Sequence, residues 1–199
     1  MPDAPDLAAL IGSRICHDLI SPIGAIGNGV ELLMMDGSAH TAEMALISES
    51  VAQANARIRY FCIAFGAADL RDQRIARAEV MSILSDQTRG GRLAIAWTGA
   101  SELPRIEVKL TFLLLMCLEN ALPFGGKIVV TQQEDRWFIA ATADRIKKDD
   151  VLWAHLTDAS APIDATPGRV HFALVPQELA RTSRTLSVRF ADGRIDLNY

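Results

Sequence analysis

A histidine and an aspartate stand side by side near the start of the chain, at His17 and Asp18, within the segment SRICHDLISPIGAIGNGVELL. A neutral imidazole is a nucleophile near pH 7, because its unperturbed pKa is about 6.5. A neighbouring carboxylate can hold the ring tautomer or help to manage its proton. A lone histidine is more often an ordinary surface residue, so the surrounding sequence has to decide between the two interpretations.

The segment around this pair has the spacing of an amphipathic helix. Each residue of a helix turns by about 100°, so His17 points away from the apolar stripe and toward solvent. Its neighbours on that face, Ser13, Ile20, Ser21 and Gly24, are mostly small, which predicts an exposed imidazole with space above it. The stripe itself consists of Ile15, Leu19, Pro22, Ile26, Gly29 and Leu33.

A second helix follows, and its apolar positions alternate by three and four residues as in a heptad repeat. Asp36-Gly37 is typical of a helix end and Thr41 of a helix start. Residues ~5–36 and ~40–68 therefore predict an antiparallel helical hairpin. One hairpin cannot bury two apolar seams, so we expect a homodimer whose two hairpins form a four-helix bundle. The second seam consists of Met44, Ile47, Val51, Ala54, Ile58, Phe61 and Phe65.

The pattern changes to mixed α and β beyond the charged stretch 69–79, so we expect an α+β protein. Its two domains would be a hairpin over 1–70 and an α/β sandwich over 71–199. In the sandwich we predict helices at 78–88 and 107–123, a strand at 92–99, and hairpins at 125–144 and 186–199. Residues 170–183 fit either a strand followed by a helix or a helix alone.

The composition and the hydropathy pattern argue against nucleic-acid binding, a membrane span and secretion. The chain has 199 residues, 50% of them hydrophobic, and its net charge of −4 does not suggest a general affinity for nucleic acid. We find no run of 18 apolar residues and no secretory leader, so we expect neither a membrane span nor secretion. Cys16, Cys62 and Cys117 lie far apart in apolar contexts. We expect them to be buried thiols in a reducing cytoplasm.

The sequence HDLISPI resembles the phosphoacceptor box of two-component histidine kinases, in which an acid follows the reactive histidine and a proline lies five residues beyond it. Here Pro22 would loosen the helix one turn beyond His17. A His-Asp dipeptide also occurs in metal-dependent phosphohydrolases, but these need further His and Asp ligands. His40, His155 and His171 form no credible cluster with His17 in this order.

In such kinases an ATP-binding domain follows the hairpin, and Leu113–Gly126 resembles its N-box helix. Asn120 stands at the metal-binding position, whereas Met116 replaces the first asparagine of the box. The glycine-rich loops that would cradle phosphates are missing, since residues 143–151 hold no glycine and only Gly168 remains near the second loop. The fold is expected to be kept as a degenerate ATPase domain, and the nucleotide site to be lost.

A phosphorylatable hairpin joined to such a domain resembles the ChpT-type histidine phosphotransferases of bacterial cell-cycle phosphorelays. The resemblance implies a dimeric shuttle that takes phosphate from a CckA-like hybrid kinase receiver and passes it to CtrA-like and CpdR-like response regulators. His17 would carry the phosphate with help from Asp18. It implies no cofactor in this chain, with Mg²⁺ held only by the receiver. Two alternatives stay open: an active histidine kinase with diverged boxes, and a non-enzymatic dimeric adaptor.

We expect the receiver to dock on the hairpin around His17. If the two helices fold back on each other at a turn near Gly37, residues equally distant from the turn lie side by side. Arg57 then lies beside His17 along the hairpin. Arginines there could meet an acidic receiver rim, although they could equally form a solvated helix face. The predicted contacts are Ser13, Arg14, Ile20, Ser21, Gly24 and the stretch 56–60, which includes Arg57, Arg59 and Tyr60.

Overall fold

A computed structural model describes residues 6–36, 41–66 and 73–199. Helices α1 (Leu7–Asp36) and α2 (Thr41–Ala64) pack against each other as the predicted hairpin. The Asp6 carboxylate caps α1 by accepting hydrogen bonds from the backbone N–H groups of Ala8 and Ala9. Pro22 lies inside α1 without ending it. The predicted turn at Gly37 and the predicted domain boundary at residue 70 lie outside the described residues.

The two helices approach closely at Gly29. A Cβ atom on this residue would lie 2.6 Å from Cγ1 of Ile47 on α2, so only glycine fits the contact as it stands. The stripe on α1 that contains Gly29 and Pro22 is buried or half-buried along its length, as the spacing predicted. The tight helix packing therefore depends on the absence of a side chain at Gly29.

The predicted seam on α2 is only partly covered. Ala54 and Phe61 are buried, but Met44, Val51 and Ile58 are 53%, 40% and 44% exposed. The reason is that α2 carries two apolar faces. Its other face, which includes Tyr60, packs on the C-terminal part of the chain.

A second apolar stripe runs along the hairpin on the face away from the C-terminal part. Its spacing of three, four and seven residues is helical, and Ile20 and Met34 are 69% and 81% exposed. Cys16 and Cys62 continue the same spacing and are exposed, so the expectation that they are buried is wrong; Cys117 is buried. We call this surface the outer stripe. It consists of Ile20, Ile23, Val30 and Met34 on α1 and of Met44, Val51 and Ile58 on α2.

The rest of the chain is a five-stranded sheet covered by helices. The elements are β1 (Arg74–Ala76), α3 (Arg77–Thr88), β2 (Leu93–Thr98), β3 (Glu102–Pro104), α4 (Arg105–Ala121), β4 (Gly126–Gln133), β5 (Arg136–Thr142), α5 (Asp150–Thr157), α6 (Val170–Thr182), β6 (Ser187–Ala191) and β7 (Arg194–Asn198). The strand order is β2-β4-β5-β7-β6, and β2 and β4 pair in parallel while the other neighbours are antiparallel. Alternate residues of the inner strands are buried against α4, a helix whose residues 110–118 are all buried.

Most of these elements agree with the prediction, and the fold is α+β. Residues 170–182 form a helix alone, with Pro176 inside it. Four elements of the described residues were not predicted: β1, β3, α5 and a 3-10 turn at Pro167–Arg169. The two strands have three residues each and pair only with one another. No helix in the described ranges is long and apolar enough to cross a membrane.

Candidate functional site

The imidazole of His17 stands in the open on α1. Its side chain is 84% exposed, and Nδ1 lies 3.2 Å from Oδ1 of Asp18. A carboxylate can only accept hydrogen bonds, so Nδ1 is the donor in this contact, and in the neutral form of the ring Nε2 is then the nitrogen with the free lone pair. The arrangement leaves the Nε2 side of the ring open to solvent, where a nucleophile for phosphotransfer would have to stand.

Asp18, by contrast, is almost completely enclosed. Its side chain is 8% exposed, and Oδ2 lies 3.0 Å from Nη2 of Arg14 and 3.3 Å from Nη1 of Arg57. Arg57 comes from α2, beside His17 along the hairpin, as its distance from the turn predicts. The two arginines thus hold one carboxylate oxygen while the other faces His17. We call the two arginines that hold Asp18, Arg14 and Arg57, the clamp.

Arg14 also ties the hairpin to the sheet unit. Its Nη1 donates to the carbonyl oxygen of Gly168 at 3.4 Å, in the 3-10 turn that precedes α6. Its side chain is 20% exposed, so little of the guanidinium faces solvent. Sequence reasoning offered Arg14 and Arg57 as receiver contacts and missed their role within the chain. The spacing of Arg14 and Asp18, four residues apart on a helix, was the available signal.

The other predicted contacts fall into two groups. Ser13, Ile20, Ser21 and Gly24 are exposed near His17, and no atom lies within 4 Å of a Cβ built on Gly24. These positions leave a receiver room to approach.

On α2 the prediction is less successful. Arg59 is 42% exposed but pairs with Asp86 of α3 at 3.2 Å. The prediction that Tyr60 contacts the receiver is wrong, because Tyr60 is only 1% exposed. It stacks on Phe112 and donates its hydroxyl to the carbonyl oxygen of the same residue.

The end of α4 lies close to the clamp. Burial raises the pKa of Glu119 to about 7, and the positive charges of Arg57 and Arg14 oppose that rise. Glu119 and Arg57 line the same cleft of about 350 Å³, together with Arg92. A second carboxyl group therefore accompanies the two arginines on the side of the sheet unit.

Asn120, the next residue, is engaged within the protein. Its Nδ2 donates to the carbonyl oxygen of Met116 at 3.0 Å and lies 3.0 Å from Nε2 of His171 on α6. Burial, assisted by the positive charge of Arg14, lowers the pKa of His171 to about 3, so the ring is neutral. Local sequence patterns do not reveal this contact, because the two residues are 51 positions apart in the chain.

The space beside Asn120 is nearly filled. The cavity there measures about 50 Å³ and is lined by Trp153 of α5, Phe172 of α6 and Lys147, among others. Pockets for small molecules are typically of several hundred Å³. Among residues 6–36, 41–66 and 73–199, no group of three or more His, Cys, Asp and Glu side chains is placed to hold a metal ion.

The comparison with a solved structure identifies the class of this chain, which is that of the phosphotransferases. A solved bacterial phosphotransferase superposes on it with a TM-score of 0.81 at 30% identity, over 100% of this chain and 97% of that chain. A histidine kinase domain from Erythrobacter litoralis gives a TM-score of 0.47 at 16% identity, over 98% of this chain and 93% of that chain.

The sequence comparisons are more specific. The chain is 36% identical to the protein phosphotransferase ChpT of Brucella abortus (strain 2308) over 89% of its own length and 88% of the relative's. The family model of the histidine phosphotransferase C-terminal domain matches residues 77–194. The chain therefore belongs to the histidine phosphotransferase family.

Proposed function

We propose that this phosphotransferase acts in a bacterial multistep phosphorelay through a phosphohistidine at His17. The observation that carries the proposal is the exposed imidazole whose Nδ1 faces an enclosed carboxylate, 3.2 Å away at Asp18. This contact leaves Nε2 as the free nucleophile. The donor is the receiver of a CckA-like hybrid histidine kinase, and the acceptors are response regulators of the CtrA-like and CpdR-like kinds, as in a cell-cycle relay.

The proposed transfer needs no general base, because the attacking nitrogen of the neutral ring carries no proton. The lone pair of His17 Nε2 attacks phosphorus in the donor's aspartyl phosphate, the N–P bond forms, and the P–O bond breaks to release the donor carboxylate. The ring keeps its proton on Nδ1 and gains positive charge, which the Asp18 carboxylate stabilises. An acceptor carboxylate then attacks phosphorus, and His17 leaves as neutral imidazole. The cation and the lysine that balance phosphoryl charge are expected in the receivers, not in this chain.

ATP is not the proposed phosphate source. The expected glycine loops are missing from the sequence, and α5 begins at Asp150, where the first expected loop would end. The small cavity beside Asn120 and the hydrogen bond of its amide to His171 support the same conclusion. The C-terminal sheet unit, residues 71–199 in our division, would then brace and position the hairpin rather than bind nucleotide.

We propose in addition that the protein is a homodimer, joined through the outer stripe. Burial of such apolar side chains stabilises association by roughly 25 cal/mol per Å². The stripe lies on the face of the hairpin opposite the sheet unit, so a second hairpin can approach there and complete a four-helix bundle. The free thiols of Cys16, Cys62 and Cys117 suit a relay in the reducing cytoplasm.

A labelling experiment distinguishes this function from the alternatives. The purified chain is incubated separately with labelled ATP and Mg²⁺, and with a labelled phosphorylated receiver. We expect acid-labile, base-stable label on the chain only from the receiver, and none on the His17→Gln variant. Labelling by ATP would instead indicate a kinase, and the absence of labelling from any receiver would indicate an adaptor.

A further inference from the structure

The positions of His17 and Asp18 on the helix do not by themselves bring their side chains together. Adjacent residues on a helix point about 100° apart and do not face each other. A free Asp18 side chain would sample several rotamers and turn its carboxylate to water. The observed 3.2 Å contact with Nδ1 therefore needs other groups to hold the carboxylate in place.

Those groups are the two arginines of the clamp. Arg14 stands one helical turn before Asp18, and Arg57 comes from the other helix of the hairpin. Both bind Oδ2, which leaves Oδ1 as the acceptor for His17. The carbonyl oxygen of Gly168 holds Arg14 in turn, so the sheet unit takes part in fixing the carboxylate.

From this geometry we propose that Arg14 and Arg57 are positioning residues for phosphotransfer, which act through Asp18 rather than by touching the receiver. The proposal rests on the proposed function of His17. The clamp fixes the carboxylate, the carboxylate fixes the proton on Nδ1, and Nε2 remains unprotonated and outward. Without the clamp, the proton redistributes between the two ring nitrogens, and the fraction of productive nucleophile falls.

The alternative for these arginines is direct contact with an acidic rim of the receiver, and the chain provides a matched control for it. Arg57 and Arg59 are both on α2, are 40% and 42% exposed, and each binds one aspartate. Only the aspartate bound by Arg57 contacts His17. Arg57→Gln and Arg59→Gln each remove one positive charge and one aspartate contact from the same turn of α2, but only the first opens the clamp.

The first readout uses the free protein and needs no partner. Nitrogen-15 NMR of the His17 ring reports which nitrogen carries the proton. We expect Nδ1 to be protonated in the wild type, and the proton to move toward Nε2 in Arg14→Gln, Arg57→Gln and most of all in the double variant. Arg59→Gln should keep the wild-type ring resonances. Unchanged His17 resonances in a folded double variant would overturn the proposal.

The second readout is transfer from a phosphorylated receiver. We expect each single variant to lower kcat by roughly fivefold to tenfold and the double variant by about 100-fold, with KM changed less than about twofold. Arg57→Lys should recover part of kcat, because an ammonium group can still hold Oδ2. Arg59→Gln should affect only KM.

The outcomes separate the two proposals. A raised KM with unchanged kcat in Arg57→Gln would make Arg57 a docking residue and overturn the positioning role. An equal loss of kcat in Arg59→Gln would trace the effect to net charge and overturn it as well. If the wild type accepts no phosphate at all, the proposed function fails, while the ring resonances still decide whether the clamp sets the tautomer.

Discussion

Nδ2 of Asn120 lies 3.0 Å from Nε2 of the buried His171, at the position where the N-box resemblance places a metal-binding asparagine. The same amide nitrogen donates to the carbonyl oxygen of Met116. The residue thus serves the packing of α4 against α6. Since Arg14 lies near enough to lower the pKa of His171, the Asn120–His171 pair is adjacent to the clamp that holds Asp18.

The first prediction concerns the pH dependence of stability. His171 has a pKa of about 3 in the folded protein against an ordinary 6.5, so unfolding takes up a proton below pH 6.5. Its contribution to stability is complete above pH 6.5 and is lost as the pH falls toward 3. We expect the free energy of unfolding of the wild type, relative to His171→Gln, to fall by about 1.4 kcal/mol per pH unit between pH 6 and 4. Chemical denaturation at several pH values measures this difference.

The glutamine variant is a suitable reference because it keeps a hydrogen-bonding side chain next to Asn120 but does not titrate. Other acidic groups titrate in both proteins and cancel in the comparison. Parallel pH dependence of the two proteins would show that His171 is not held neutral by the fold.

The second prediction concerns the close approach of the two hairpin helices. Gly29→Ala places a methyl group 2.6 Å from Cγ1 of Ile47, so we expect a loss of about 1–2 kcal/mol from the free energy of unfolding. Gly12→Ala, in the same helix with no atom within 4 Å of the new Cβ, should instead raise stability by up to about 1 kcal/mol. Thermal or chemical unfolding of the two variants measures both effects. Equal stabilisation by both alanines would contradict the contact.

The third prediction concerns the dimer. Val30→Glu puts a charge into the outer stripe, where Val30 is 42% exposed, and the cost of desolvating that charge should separate the two copies. Asn28→Glu, on an exposed position of the same helix outside the stripe, should leave the dimer intact. Sedimentation equilibrium at micromolar concentration should give twice the monomer mass for the wild type and Asn28→Glu, and the monomer mass for Val30→Glu. A Val30→Glu protein that stays dimeric would place the interface elsewhere.

Much of the fold follows from local sequence patterns, and the exceptions have physical reasons. Long periodic segments such as α1 and the buried α4 are recognisable because each repeats its pattern over several turns. The strands β1 and β3 are too short to show any alternation. Helix α5 has only eight residues, about two turns, which is too short to repeat an apolar spacing clearly.

In the site, too, features set by a single helix can be predicted from the sequence, and contacts between distant residues cannot. The exposure of His17 results from its angular position on one helix, so local spacing is sufficient to predict it. The apolar spacing on α2 identifies the apolar positions, but it does not tell which of the two apolar faces of α2 packs on the rest of the chain. For this reason Tyr60 was assigned to the receiver surface, although it is buried. The Asp18–Arg57 and Asn120–His171 pairs span 39 and 51 residues. Such contacts depend on how helices are packed, and a single sequence does not record that.

We propose that His17 carries phosphate between two receivers, and a reconstituted relay tests this role most directly. A labelled phosphorylated donor receiver and an unlabelled acceptor receiver are mixed with wild type, His17→Gln or the control His40→Gln, and label on the acceptor is followed with time. We predict rapid transfer with wild type and with His40→Gln, and none above the chain-free background with His17→Gln. Label reaching the acceptor through folded His17→Gln at the wild-type rate would contradict the account.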